Sequence, residues 1–361
     1  MPTDGPFRVL SLDGGGMRGT YTATYLSHLA TTFERRLKRR TLDVGSAFDL
    51  IVGTSTGAII GCAIAKGVPL EEVVKLYRDY GSQIFPRKLP SIMTLPLDLL
   101  FRRWAIQKGN DALRRALTQH FEKTTLGEIY AQRGIALAIT AVELSQHRSW
   151  VFKTPHNCDS TNNRDDNYSL VDVCLASSAA PIYRSLAAVD HPDQPQQDGY
   201  FIFADGGLWA NNPVLIGLVE ALQLAGSEQK IEIYCIGTCP MPAGEVVDRK
   251  AVHRGLGAWK FGGNAANLSI DAQQFAYDNM ARMFSNHLNR PCEIIRFPSN
   301  QCPASLMPYL GLDNTSKAAI DALINQARTD SDLTNSHCAD ENNREGQCIN
   351  RLFEAMREVA E

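Results

Sequence analysis

Three short stretches of this chain carry the groups that acyl transfer needs. Gly53-Thr54-Ser55-Thr56-Gly57 fits the pattern G-x-S-x-G, with the apolar run Asp49 to Val52 before it and the small-residue run Thr56 to Lys66 after it. Between a strand and a helix, that pattern holds the serine in a strained turn and lifts its Oγ above the sheet. Gly53 and Gly57 then let strand, helix and substrate approach closely, and the helix N-terminus favours the negative charge that develops during attack. The second stretch is Asp13-Gly14-Gly15-Gly16-Met17-Arg18-Gly19. Gly14, Gly15 and Gly16 expose successive backbone N–H groups suited to an oxyanion, and Arg18 adds a fixed positive charge beside them. The third, Asp205-Gly206-Gly207, sets a carboxylate at a strand end before a flexible turn. Nucleophile, base and oxyanion donors are thus all present.

Other readings of these residues stay open. Gly14, Gly16 and Gly19 also satisfy G-x-G-x-x-G, a dinucleotide fingerprint, and a nucleotide-binding signalling module without hydrolysis is the competing class. That fingerprint wants an acidic residue at the end of the next strand, where this chain has Gly53-Thr54-Ser55. A Ser-His-Asp triad would draw on His253, His287 or His337, none of which lies in a strand-end loop of small residues. A Ser55–Asp205 dyad is preferred. A carboxylate in water, with a pKa of about 3.9, is a poor base toward a serine hydroxyl, and a dry site would strengthen it. Such a dyad attacks any activated acyl carbon, so a protease, a thioesterase or another acyl esterase stays open as an alternative.

The elements that must position these groups read as an α/β fold with a mostly parallel central sheet and helices on both faces. Phe7 to Leu12 is a strand and Thr20 to Leu37 a helix; Asp49 to Val52 and Thr56 to Lys66 repeat the order. Leu70 to Tyr80 and Ala112 to Phe121 read as helices, Ile135 to Val142 and Trp150 to Lys153 as strands, and Asp172 to Ala180 as a helix. Cys158 to Asn167 and Asp190 to Gly199 are polar loops. Tyr200 to Ala204 is a strand, Pro213 to Leu224 a helix and Ile231 to Gly237 the last buried strand. Asp271 to Leu288 and Ser316 to Ala327 look helical, followed by a polar loop from Asp330 to Gln347 and a short final helix. Ser55, the glycine loop and Asp205 each follow a strand, so all three would share the carboxyl edge, where α/β folds bind ligands. Leu89 to Trp104, apolar between Arg87-Lys88 and Arg102-Arg103, suits either an interfacial lid or a connector packed on the core.

Composition excludes several classes. The chain has 361 residues, 44% hydrophobic and 21% charged, which excludes disorder and collagen-like sequence. A net charge of −3 leaves no basic excess for DNA or RNA. Nine scattered cysteines, none at zinc-binding spacing, read as free thiols of a reducing cytosol. No basic leader opens the chain, and the longest apolar stretch, Ala58 to Ala65, is far short of the roughly 20 residues of a membrane span. A cytoplasmic protein is expected.

In this order the three motifs resemble the signature of the patatin-like phospholipase family. Thr125-Leu126-Gly127, Ala176 to Pro181, Asn212-Pro213 and Gly237-Thr238 agree with it, and the resemblance spans about residues 7–240. It implies a patatin-like catalytic core over 7–240, extended by a mainly helical segment over 241–361 that packs on it. It also implies Ser55 as nucleophile and Asp205 as its base, with N–H groups around Gly15 and Gly16 as the oxyanion hole and Arg18 nearby. The implied activity is calcium-independent hydrolysis of phospholipid acyl esters through an acyl-enzyme, with no cofactor. Cys239 departs from the pattern, because many relatives carry glycine there. The opening block from Leu10 to Tyr21 further resembles a bacterial subset, the phospholipase effectors of anti-phage defence that cyclic nucleotides switch on. That likeness implies a cyclic dinucleotide activator and action at the inner-membrane surface.

Overall fold

Parallel strands buried on both faces read as nearly continuous apolar runs, and Phe7–Leu12 and Leu50–Gly53 are of that kind. The computed structural model describes residues 5–86, 95–156, 164–192, 199–239, 247–255, 259, 263–298 and 302–359, with the backbone alone at 95–101, 251, 263, 264 and 266. The lid segment up to Thr94 and parts of the two polar loops lie outside the described residues.

The strands are β1 (Phe7–Leu12), β2 (Leu42–Asp43), β3 (Leu50–Gly53), β4 (Ala136–Glu143), β5 (Arg148–Lys153), β6 (Ala187–Asp190), β7 (Tyr200–Asp205), β8 (Ile231–Ile236), β9 (Cys292–Arg296) and β10 (Arg357–Glu358). The helices are α1 (Gly19–Leu37), α2 (Thr56–Lys66), α3 (Leu70–Ile84), α4 (Leu95–Phe121), α5 (Leu126–Arg133), α6 (Leu170–Ser177), α7 (Gly207–Ala210), α8 (Val214–Leu224), α9 (Gly263–Ser285), α10 (Lys317–Ala339) and α11 (Arg344–Ala355). The main sheet runs β6-β7-β4-β3-β1-β8-β9, with β5 also paired to β4, while β10 and β2 form a separate ribbon. From β4 through β9 every neighbouring pair in that order is parallel. Side chains alternate between the two faces. Leu10, Leu12 and Ile51 join the helices α1, α2 and α10 in one core, whereas Phe7, Val9, Leu50 and Val52 join α8 and α9 in another. The sheet is therefore the middle of three layers.

Asp205 reaches the carboxyl edge by a route the parallel pattern does not foresee. β3 ends where Gly53 lies beside Ile139, but β4 runs on to Glu143. In that overhang β7 comes back antiparallel, pairing Phe203 with Glu143 and Asp205 with Ala141. The carboxylate thus descends to the edge from above, two residues beyond the end of β3.

Four expectations need correction. Ile231 to Gly237 is not the last strand, because β9 pairs in parallel with β8 from Ile231↔Cys292 to Cys235↔Arg296. Ala187 to Asp190 is a strand, too short to show a pattern, and it takes in the first residue of the expected polar loop. Helix α4 begins at Leu95, not Ala112, since Pro96 sits in the first turn, where a missing N–H costs no intrahelical bond. Finally, α10 continues through the supposed polar loop to Ala339, and α11 starts at Arg344.

The last correction has a clear cause. Asp330, Ser331 and Thr334 are buried against α1, so their polarity marks an interface and not a solvated loop. The Tyr21 hydroxyl donates to Asp330 Oδ2 at 2.5 Å, and the Tyr25 hydroxyl lies 2.7 Å from Thr334 Oγ1. Replacing Tyr21 with Phe leaves a buried carboxylate oxygen short of its donor and is expected to cost about 1–3 kcal/mol, against about 1 kcal/mol for Tyr25→Phe. Equilibrium denaturant unfolding of both variants measures the difference; equal, near-zero losses would show that this contact carries no stability.

Candidate active site

The turn after β3 forces Ser55 into a conformation that non-glycine residues avoid, φ 55° and ψ −118°. Several contacts hold it there. The Ser55 amide donates to Ser177 Oγ at 2.8 Å, and the Thr54 amide donates to the Leu12 carbonyl at 3.2 Å. The Thr54 hydroxyl bonds Thr140 Oγ1 and the Ala210 carbonyl. Gly53 closes β3, and Gly57 is the second residue of α2, where it presses on the end of β1. A Cβ at Gly57 would lie 2.7 Å from the Leu12 carbonyl carbon and 2.8 Å from the Asp13 carbonyl oxygen, both rigid backbone, so only glycine fits.

Ser55 Oγ donates to Asp205 Oδ2 at 2.7 Å. The other carboxylate oxygen accepts the Gly207 amide at 2.6 Å, and Gly206 forms the bend between them, its own amide bonded to the Ser177 carbonyl. Asp205 is 6% exposed. Burial pushes its carboxyl up to about 6, while the Gly207 amide, the Ser55 hydroxyl and the positive charge of Arg184 restrain the rise.

The glycine loop supplies donors to the same cavity. Gly14 is fully engaged: its amide donates to the Asn211 carbonyl, and its carbonyl accepts from Asn211 Nδ2 and Thr238 Oγ1. The Gly15 and Gly16 amides donate to no group among the described residues. Both glycines line a cavity of about 490 Å³ together with Arg18, Ser55 and Asp205. Gly16 has φ +55°, and the next amide, of Met17, donates to the Leu312 carbonyl at 2.9 Å. Arg18 Nε lies 3.4 Å from the Gly15 carbonyl, and burial lowers the guanidinium's pKa. Ile59, Tyr77, Ile84, Phe85 and Leu113 give the cavity an apolar wall fit for an acyl chain.

Sequence reasoning brought Ser55, Asp205 and the Gly15–Gly16 donors to one place and missed their supports. Ser177 belongs to the Ala176–Pro181 block, so a signal for it existed. Arg184, Asn211 and Arg296 gave none, because their partners are far away along the chain. Arg296 of β9 bonds Asp13 at the head of the glycine loop and Asp278 of α9, both at 2.8 Å. Among the described residues no histidine lines the cavity, and no three His, Cys, Asp or Glu side chains gather as a metal site. Cys239 takes φ 60°, the left-handed geometry glycine would adopt, with its sulfur 3.2 Å from that of Cys302. Both thiols are free.

Comparison with known proteins identifies the family. A family model described as patatin-like phospholipase matches residues 10–218. The chain is 36% identical over 279 residues to a cGAMP-activated phospholipase of Pseudomonas aeruginosa strain BWHPSA011, covering 76% of this chain and 74% of the relative. It is 30% identical over 336 residues to a cGAMP-activated phospholipase of Vibrio cholerae serotype O1, covering 89% of each. A cUMP-AMP-activated phospholipase of Escherichia coli is 26% identical over 236 residues, 64% of each chain. With more than half of its length matched and two relatives aligned along most of theirs, the chain belongs to the patatin-like phospholipase family.

Proposed function

We propose that this protein hydrolyses phospholipid acyl esters through a Ser55–Asp205 dyad, and that a cyclic dinucleotide switches it on in anti-phage defence. The observation that carries the reading is the 2.7 Å hydrogen bond from Ser55 Oγ to Asp205 inside a cavity whose Gly15 and Gly16 amides are unspent. As Ser55 Oγ attacks the ester carbonyl, Asp205 takes its proton, and the carbonyl oxygen becomes an oxyanion facing those amides. Removing one such donor typically costs about 2.7–4 kcal/mol of barrier lowering. Collapse expels the lysophospholipid alkoxide, which leaves with the proton from Asp205. Water then attacks the acyl-enzyme with Asp205 again as base, releasing fatty acid and free Ser55. In this reading residues 7–240 carry the catalysis, and residues 241–361 brace the glycine loop through Arg296 and Leu312.

The substrate surface is a bilayer. Among the described residues no helix is long and apolar enough to cross a membrane. Ile182, Leu208 and Met307, all exposed, lie at the cavity wall, and exposed Trp104 stands on α4 near Arg102 and Arg103. Apolar and basic groups together suit peripheral binding to anionic lipid at the inner membrane. The activator reading draws on the relatives named for activation by cGAMP and cUMP-AMP.

Ser55→Ala and Asp205→Asn are each expected to lower hydrolysis of phospholipid and of short p-nitrophenyl esters by about 10³-fold or more, with circular dichroism unchanged. Retained activity in either variant would remove the dyad, and an unsubstituted protein that hydrolyses neither lipid nor soluble ester, with or without a cyclic dinucleotide, would favour a binding module. The base works when ionised, so kcat/KM should fall as pH drops below about 6. A pH–rate profile flat from 5 to 8 would contradict Asp205 as the base. Lipid hydrolysis should rise when cGAMP is added to the purified protein, and an unchanged rate across a panel of cyclic dinucleotides would exclude that mode of activation.

A further inference from the structure

We infer that Arg184 is a positioning residue for the dyad: its guanidinium, fixed by Asn110 and Ser178, supplies the positive charge that keeps the Asp205 carboxylate ionised for proton transfer. The inference rests on the dyad reading above.

Arg184 is only 6% exposed, yet among the described residues no carboxylate lies within ion-pair distance of it. Its Nη2 donates to Asn110 Oδ1 at 2.9 Å and its Nη1 reaches Ser178 Oγ at 3.5 Å, while Nε is buried with no acceptor. Burying a charge without a counter-ion is expensive, and a side chain that only packed there would be better apolar. Burial lowers the guanidinium to about 10, so it is still protonated near neutrality.

What the charge faces is the dyad. Arg184 and Asp205 line the same cavity, and Asp205 is the acid whose field acts on Arg184. Arg184 is in turn the charged group acting on Asp205, whose other partners are the neutral Ser55 hydroxyl and the Gly207 amide. On α3, Tyr77 acts on Arg184, and burial keeps it neutral. Arg18, on the glycine loop, faces Asp271 of α9 instead.

The backbone that carries Arg184 also grips both members of the dyad. Ser177 Oγ accepts the Ser55 amide, the Ser177 carbonyl accepts the Gly206 amide, and the Ala179 carbonyl accepts the Asp205 amide. The Arg184 amide then closes the turn on the Ala180 carbonyl at 2.9 Å. The arginine is thus built into the bracket that sets the geometry of Ser55 and Asp205, and Asn110 ties that bracket to α4.

The test is the pH dependence of soluble-ester hydrolysis by the full chain. Arg184→Met should move the acidic limb of kcat/KM upward by about 1 pH unit, the scale on which a nearby opposite charge moves a carboxylate. At pH 6 the rate, relative to its own plateau, should then fall about fivefold, with most of the loss recovered above pH 8. Arg184→Lys should return the limb toward its original position, and Asn110→Ala should shift it part of the way. A plateau lowered equally by Met and Lys, with the limb unmoved, would overturn the inference and leave Arg184 a packing or substrate contact. If thermal unfolding shows that Arg184→Met does not fold, Asn110→Ala decides, and an unmoved limb there overturns the inference too. Asp205→Asn separates the two readings: if it stays active the dyad itself falls, whereas an inactive Asp205→Asn with an unmoved Arg184→Met limb sinks only the role given to Arg184.

Discussion

A hydrogen bond between a serine hydroxyl and an aspartate 150 residues away, both of them buried, constrains most of this molecule. In solvent such a contact would be outcompeted, and the carboxylate would be a weak base. Burial changes both terms. It removes competing water and raises the proton affinity of Asp205, so the scaffold must exclude solvent from a charged group and still leave a path for an acyl chain. The sheet meets that demand by overshoot. Because β4 extends past β3, β7 can pair with the overhang and deliver Asp205 to the level of the Ser55 turn.

The glycine loop sets a second constraint, since amides proposed to receive an oxyanion must point inward without spending themselves on protein carbonyls. The loop is pinned at its flanks instead. Gly14 is tied to Asn211 and Thr238, Met17 to Leu312, and Asp13 to Arg296. Arg296 also holds Asp278, which holds Arg282, so the ion pairs run from the loop into β9 and α9. Partly buried pairs of this kind contribute little net stability, but removing one partner strands the other. Their effect is to fix position, and they make the part of the chain beyond β8 a structural participant in the site.

Much of this was legible in the amino-acid order, and the limits have physical causes. The elbow, the glycine loop and the aspartate turn are local: each motif contains its own strand end and turn chemistry, so residue type, spacing and flanking elements together singled them out. β1, β3, α2 and β8 were visible because buried parallel strands and small-residue helices have uniform composition. What stayed hidden depends on distant partners. Asp330 and Thr334 look like loop residues until the hydroxyls of Tyr21 and Tyr25 are placed opposite them. Arg184 and Arg296 are single charges in unremarkable surroundings, and their meaning comes from groups that folding brings near. The antiparallel course of β7 was invisible for another reason, because a strand's apolar pattern carries no information about its direction.

In the proposed dyad, the chemistry of the site is a compromise between two opposing demands on one carboxylate. A stronger base would take the serine proton more readily, but a carboxyl raised far above 6 would be mostly protonated near neutrality and so unable to act. Burial alone pushes in that direction without limit. The Gly207 amide and the Ser55 hydroxyl each favour the charged form, as does a nearby guanidinium, and together they stop the rise at about 6. At that value Asp205 is a better base than it would be in water, yet still largely ionised at pH 7. The strain stored at Ser55, of order 1–3 kcal/mol for a non-glycine residue at positive φ, belongs to the same compromise. It aims the hydroxyl at the carboxylate before substrate arrives, so less ordering remains to be done in the transition state.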